Sequence, residues 1–298
     1  MKEALTTHNT GLRSSLVSYL ISSSWSKIVN QAGANATDVQ LVGLAAGAIS
    51  DDYSLCSTVV NSMLSTVAYK SGNNDGMMTD ASFTQHNIHG RQLYHNGYAN
   101  VYLFGFINIA NVVKGSSLQV PSSKDALIED FFLNGIQNLI YGPHYSDVLV
   151  SGRGFAGNPN SMPNSARWRW PLEAFIAYAP SRKAELEVLH DRMMGVTSET
   201  TVANKMFWHT DFMTHIRPTY YTSVRGTSNR TVGNESLKGA GKLSYHMGDG
   251  VNMVLHHGDE YATILPVWNW RRLPGTTIEQ RTDALPLVEG GTGGAGGT

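Results

Sequence analysis

Between Asp80 and Ala99 the chain reads DASFTQHNIHGRQLYHNGYA, which places three histidines, two tyrosines, an arginine and two asparagines in twenty residues without apolar periodicity. Histidine and tyrosine both carry protons, whereas asparagine and arginine bind carboxylates without competing for them. The set suits proton abstraction from an acidic carbohydrate better than it suits a core. Zinc is a weaker reading of His86, His89 and His95, because no cysteine or carboxylate cluster accompanies them. A solvated polar loop is the competing reading, and nothing within the stretch excludes it.

Four other segments are polar out of proportion to their surroundings. QAGANATD puts Asn35 in a tight turn between two helical patterns, and SGRGF holds Arg153 between glycines. NPNSMPN follows with Asn158, and VGNESLKG carries Asn234 and Glu235. Small neighbours would let a bulky ligand reach Asn35 and Arg153, although each of these residues also reads as ordinary turn chemistry.

The elements that must position these groups fall into two kinds. The first two thirds are helical in pattern: Leu12 to Val29, Asp38 to Ile49, Asp51 to Tyr69 with Leu55, Val59, Met63 and Val67 on one stripe, Tyr98 to Val113, Ser123 to Ile140, and Leu172 to Met194 broken at Pro180. Ser181 is placed to start the second half of that last pair. Near Val202 the character changes to short aromatic and β-branched runs, PTYYTSV, KLSYHM, VNMVLHH and YATILPVW, separated by turn signals such as MGDG and HHGDE. These predict antiparallel strands, about five of them, needing a second layer to cover their apolar face. The chain then runs into EGGTGGAGGT.

Bulk properties bound the rest. With 298 residues, 41% of them hydrophobic and 15% charged, the chain can bury a large core in one domain or two. A net charge of -1 gives no reason to expect a nucleic-acid or membrane partner, so a polyanion would have to be met by local groups. A single cysteine, Cys56, excludes an internal disulfide framework and reads as a small buried hydrophobe. The opening MKEALTTHNTGLRSSL lacks an apolar leader core, which predicts either a cytoplasmic protein or a missing true start.

Taken in order, AGANATD, the Asp80 to Ala99 stretch, SGRG, FWHTDFMTHIRPTYYTSVR, NESLKG, GDGVNM and YATILPVWNWRRLPGTT resemble the polysaccharide lyases of family eight, the group of chondroitin AC lyase, hyaluronate lyase and xanthan lyase. The resemblance implies an α+β multidomain fold: an incomplete α/α toroid over residues 1–198, the beginning of an antiparallel β-sandwich over 199–285, and a flexible glycine-rich tail over 286–298. It implies a truncated fragment of a longer, secreted or periplasmic monomer that acts on an acidic uronate polysaccharide without a cofactor or metal. Weak activity or none is expected of the fragment alone, since half the cleft wall would be absent.

The resemblance also implies roles. Asn35 and His89 match the pair that neutralises the uronate carboxylate, Tyr98 the tyrosine that serves as base and acid, Arg153 the cation beside it, and Glu235 a carboxylate that orients the site. The family's tyrosine follows its histidine by nine residues, which His89 and Tyr98 satisfy; the DxSFxQH motif instead selects His86, three residues earlier, and the HGRQL string favours His89. Substrate contacts are expected from His86, Gln92, Asn158, Asn234 and Trp168, the last with helix packing as its alternative role.

The chain departs from the family in two places. FAGNPN stands where a second arginine is usual, and Arg230 or Thr231 falls where a glutamate is usual. Two other readings compete: a glycoside hydrolase, which would need opposed carboxylates drawn from Asp80, Asp147 and Asp211, and a non-catalytic carbohydrate-binding fragment.

Overall fold

The computed structural model describes residues 3, 6–7, 9–22, 31–87, 90–156, 164–233, 235–236 and 242–287; residues 288–298 of the expected tail lie outside them. The chain divides into two compact units, Met1–Ala68 with Val101–Ile128, and Tyr69–Asn100 with Glu129–Thr298.

The first unit is helical. Helix α1 (Thr10–Leu20) starts at Asn9, whose side chain accepts the Leu12 amide at 2.8 Å. Helix α2 (Gly33–Ser50) buries a run of small residues, and a Cβ at Gly47 would stand 2.7 Å from Cys56 Sγ of helix α3 (Tyr53–Thr66). The small residues therefore set how closely α2 and α3 approach. Cys56 is half-buried at that contact. Helix α4 (Asn100–Val113) uses the same device, since a Cβ on its Gly105 would lie 2.5 Å from Thr37 Cβ.

In the second unit, the pattern expected to run as one helix to Ile140 breaks up. Helix α5 (Ser122–Asp130) gives way to a π-helical turn over Phe131–Gly135 and a 3-10 turn over Ile136–Leu139. A Cβ at Gly135 would sit 2.7 Å from the Ala81 carbonyl oxygen, so close packing on the polar stretch overrides helical periodicity. Helices α6 (Arg169–Tyr178) and α7 (Lys183–Met193) are separated at Ala179–Pro180, as the proline predicts. Ser181 does not cap α7; its hydroxyl donates to Glu129, whose carboxylate also takes the Arg182 amide at 2.6 Å.

Four antiparallel strands form one sheet in the order β5 (Ala203–Phe207), β6 (Phe212–Arg217), β7 (Tyr220–Arg225) and β8 (Val251–Leu255). Two short hairpins precede it, β1 (Gly76–Met77) with β2 (Phe83–Thr84), and β3 (Ile140–Tyr141) with β4 (Tyr145–Ser146). Two expected strands are absent. YATILPVW forms turns and a 3-10 turn over Leu265–Val267, where Pro266 has no amide to give a ladder, and KLSYHM turns at Ser244 to send Met247 into the core. The buried face of the sheet, with Phe207, Phe212, Ile216, Tyr221, Met253 and Leu255, packs against Leu139 and the segment Val148–Val150. That segment leads directly into SGRG. Strands β7 and β8 are joined by residues 226–250, which carry Glu235.

Candidate active site

The stretch expected as either a site or a solvated loop is mostly interior. Gln85, Asn87, Gln92, His95 and Asn96 are all buried. Three of them are tied together through Asp75: Gln85 Nε2 donates to Asp75 Oδ2 at 2.7 Å, the Asn87 amide to Asp75 Oδ1 at 3.1 Å, and the Gln92 amide to Asn87 Oδ1 at 3.0 Å. This framework holds His86 at φ 61°, a left-handed conformation that non-glycine residues adopt where surroundings enforce it. Gln92 Nε2 locks it by donating to the His86 carbonyl at 3.0 Å. Gln92 is 1% exposed, and this bond makes it a support for the His86 backbone.

Tyr94 precedes and Tyr98 lies within a π-helical turn over His95–Ala99, whose wide pitch is set by the Ala99 amide bonding to the Tyr94 carbonyl five residues back at 3.2 Å. The two rings meet edge to face with centroids 5.0 Å apart, and His86 stands 4.8 Å from the Tyr98 ring. From beneath, Asn96 Nδ2 binds the Asp147 carbonyl at 2.5 Å and Ser151 Oγ at 3.1 Å, while Ser146 Oγ donates to Asn96 Oδ1 at 2.7 Å. Trp168 completes this set by donating its indole N–H to Ser146 Oγ at 3.2 Å. It is 0% exposed and offers no face to a sugar, so packing takes the place of the expected stacking.

Arg153 reaches the same place from SGRG. Gly152 has φ 54°, and a Cβ there would fall 2.1 Å from the Tyr94 ring, so only glycine lets this turn rest on the tyrosine. Arg153 Nη2 donates to Tyr98 Oη at 2.9 Å, Nη1 pairs with Glu235 Oε2 at 2.8 Å, and the Arg153 amide donates to Tyr94 Oη at 3.0 Å. Glu235 takes His86 Nδ1 on Oε1 at 2.8 Å and the Tyr94 hydroxyl on Oε2. Five side chains from three separate segments thus form one cluster, in which His86, Tyr94 and Arg153 surround the Glu235 carboxylate and the half-buried Tyr98 phenol.

The electrostatics separate the two tyrosines. Burial, then the charge of Glu235 and the hydrogen bond to it, push the Tyr94 phenol far above its ordinary value, so it remains a donor. Burial would also raise the Glu235 carboxyl, but the hydrogen bonds of His86 and Tyr94 and the charges of His86 and Arg153 outweigh it and hold the group below the usual carboxylate range. Burial alone would lower the Arg153 guanidinium; Tyr94, the bond to Tyr98 and Glu235 reverse that and keep it charged. His86 Nδ1 meets both Glu235 Oε1 at 2.8 Å and Arg153 Nη1 at 3.2 Å, which fixes the imidazole against the ion pair.

The remaining expected residues are distributed as follows. Asn35 lies half-buried in the first turn of α2, in the other compact unit. His89, Asn158 and Asn234 lie outside the described residues. His95, the third histidine of the stretch, is fully buried, donates toward the Ala81 carbonyl at 3.0 Å, and is driven down to about 4 by burial, so it stays neutral. Asp80 accepts from Ser82 and the His209 amide, Asp147 from the Leu149 amide and Tyr221, and Asp211 pairs with Arg230. Each of these three carboxylates is committed to its own local structure, and none faces another as hydrolysis would require. Among the described residues no group of three or more His, Cys, Asp or Glu is arranged to hold a metal ion. Tyr94 is the member of the cluster whose role the spacing rules did not reveal; its position four residues before Tyr98 is the signal that could have found it.

The chain matches the family descriptions "Polysaccharide lyase family 8, N terminal alpha-helical domain" over residues 17–185 and "Polysaccharide lyase family 8, super-sandwich domain" over residues 202–298. It is 27% identical over 259 residues to the chondroitinase-AC of Pedobacter heparinus, covering 86% of this chain and 36% of that protein. A solved chondroitinase AC lyase is similar with a TM-score of 0.79 at 26% identity, over 86% of this chain and 38% of the other. A Paenibacillus xanthan lyase is similar in fold, with a TM-score of 0.73 at 21% identity, over 85% of this chain and 27% of the other. The chain therefore spans between about a quarter and two fifths of the length of these relatives.

Proposed function

Because the chain belongs to polysaccharide lyase family 8, we propose that it serves cleavage of a uronate-containing polysaccharide of the chondroitin, hyaluronan or xanthan type by β-elimination, with Tyr98 as the proton carrier. The observation that carries this reading is the hydrogen bond from Arg153 Nη2 to Tyr98 Oη at 2.9 Å, which sets a fixed cation against the one phenol of the cluster that is not buried. Tyr98 takes the C5 proton of a uronate, the electron pair forms the C4–C5 double bond, and the C4–oxygen bond breaks. The phenol then returns its proton to the leaving oxygen, and no water is consumed.

Removing the C5 proton loads a second negative charge onto the uronate carboxylate, so that group needs donors. His86 is the better supported histidine for this role, because Glu235 holds its Nδ1 at 2.8 Å and its ring stands 4.8 Å from that of Tyr98. The motif register favours His89, and the two assignments separate on mutation: His86→Ala should remove most of the activity and His89→Ala little. For Asn35, the proposed role as a second donor rests on AGANATD alone. Residues 1–198 and 199–285 are proposed as its helical and sandwich domains. We place the protein outside the cytoplasm as a monomer, since a polymeric substrate does not enter cells; no helix among the described residues is long and apolar enough to cross a membrane.

The test is digestion of chondroitin sulfate, hyaluronan and xanthan with ultraviolet detection of the conjugated unsaturated uronate, which only elimination creates. New reducing ends without that absorbance would mean hydrolysis and overturn the proposal.

A further inference from the structure

Arg225, the last residue of β7, is 3% exposed, yet no carboxylate among the described residues pairs with it. Burying a cation without a counter-ion is unfavourable, so the contacts it does make should explain its presence. Nη1 donates to the Leu149 carbonyl at 2.5 Å, and Nη2 lies 3.5 Å from both the Val232 and the Gly233 carbonyl oxygens. Met247 Sδ stands 3.5 Å from Nη1 and closes the remaining side. Burial lowers the guanidinium to about 10, which leaves it charged at neutral pH.

The placement of those carbonyls gives the contacts a purpose. Leu149 precedes Arg153 by four residues, and Gly233 precedes Glu235 by two. The two segments are otherwise distant in sequence, and their tips meet in the Arg153–Glu235 pair. A second tie holds the Glu235 segment to the polar stretch, through the Arg91 amide on the Arg230 carbonyl at 3.0 Å and the Val232 amide on the Arg91 carbonyl at 3.0 Å. The guanidinium ties it to the Arg153 segment from the end of β7.

We propose that Arg225 is a positioning residue: a buried guanidinium that clamps the main chain ahead of Arg153 to the main chain ahead of Glu235, and thereby fixes the cation beside Tyr98. Its fork matters more than its charge, because a lysine ammonium is a single point donor that cannot hold carbonyls on two segments in one plane. The proposal rests on the reading of Tyr98 and Arg153 given above.

The experiment compares Arg225→Lys and Arg225→Met with the unaltered protein. Misplacing catalytic groups by about 1 Å costs on the order of 10²-fold, so kcat for uronate elimination should fall by roughly that factor in Arg225→Lys. KM should stay within about threefold, as no substrate contact is removed. In an Arg153→Ala background the same substitution should cost less than about twofold further, because both changes act through one group. A full multiplicative loss in that background would overturn the proposal. Amide hydrogen exchange supplies an arm independent of activity: residues 148–153 and 231–233 should exchange faster in Arg225→Lys while β6 keeps its protection. Unchanged exchange in both segments would overturn the clamp even where activity falls. Should the unaltered protein release no unsaturated uronate, as expected of a chain that spans under two fifths of its relatives, exchange alone decides the role of Arg225. Should Arg225→Met not fold, the lysine variant carries both readouts.

Discussion

Glu235 and Asp147 are two buried carboxylates of one compact unit, each bonded to a tyrosine, and they are driven in opposite directions. Asp147 is 0% exposed, accepts the Leu149 amide at 2.8 Å and the Tyr221 hydroxyl at 2.7 Å, and is raised by burial that its hydrogen bonds only partly offset. Glu235 begins from the same penalty and ends below the usual carboxylate range, because His86 and Arg153 add positive charge to its tyrosine bond. The cations make the difference, together with an opening: Tyr221 is sealed in the core, while Tyr98 beside Arg153 is only half-buried. A carboxylate with tyrosines is therefore not enough to mark a site. What marks it is that the fold brings charge from two distant segments and leaves one phenol accessible.

The sharpest way to break the comparison is to remove one hydroxyl from each cluster. Tyr98→Phe should lower elimination by about 10³-fold or more, within the range expected for loss of a general acid–base group, while leaving the thermal midpoint nearly unchanged. Tyr221→Phe should do the reverse, costing roughly 1 to 3 kcal/mol in denaturant unfolding through the partner left unsatisfied, with little change in rate. Equal losses of activity in both would mean that Tyr98 acts through structure.

A smaller effect is expected where backbone sets the spacing. Gly152→Ala forces a Cβ toward the Tyr94 ring at 2.1 Å and at a φ that alanine resists, so the SGRG turn must shift and carry Arg153 with it. Activity should drop by about 10²-fold. Gly142, with φ 54° but nothing near its Cβ position, is the control, and its alanine variant should show only the conformational cost, about 1 kcal/mol. If the two glycines behave alike, the Tyr94 contact does not set the position of Arg153.

Much of this was legible in the sequence. The polar density of Asp80 to Ala99 pointed to the candidate site, and the SGRG and NESLKG motifs singled out Arg153 and Glu235, which the structure brings together with Tyr98 and His86. What could not be read is which polar residues face inward. Gln92 and Trp168 look like binding residues by type, yet each spends its donor on a neighbour's carbonyl or hydroxyl within the unit. The choice between His86 and His89 depends on a partner 149 residues away from His86, beyond any local spacing rule. Strand reading failed where one local fact overrode pattern, Pro266 in YATILPVW, and helix reading failed where Gly135 had to admit the Ala81 carbonyl. In both cases alternation or periodicity was present, and a single close contact or missing amide decided the outcome.

The subtlest test uses the opposite signs of the two carboxylates. Glu235 is depressed in the folded protein, so its contribution to stability is present above the ordinary glutamate value of about 4.3 and disappears as pH falls through its lower folded value. Asp147 is raised, so the native state holds its proton longer; stability declines as pH rises from about 3.9 through its folded value, and the ionised form weighs against the fold at neutral pH. Glu235→Gln should therefore flatten the acid limb of a stability-against-pH curve and lower stability near pH 7, because Arg153 loses its counter-ion. Asp147→Asn should remove a decline over the mildly acidic range and leave stability near pH 7 equal or higher, provided the amide oxygen keeps the Leu149 bond and the amide nitrogen donates to the Tyr221 hydroxyl in place of Oδ2. Denaturant midpoints measured across the acid range for both variants decide this. If Asp147→Asn instead flattened the acid limb and lowered stability near pH 7, as expected of removing a charge-paired group, the contrast between the two carboxylates would be false, and the cations at Glu235 would not be what distinguishes the site.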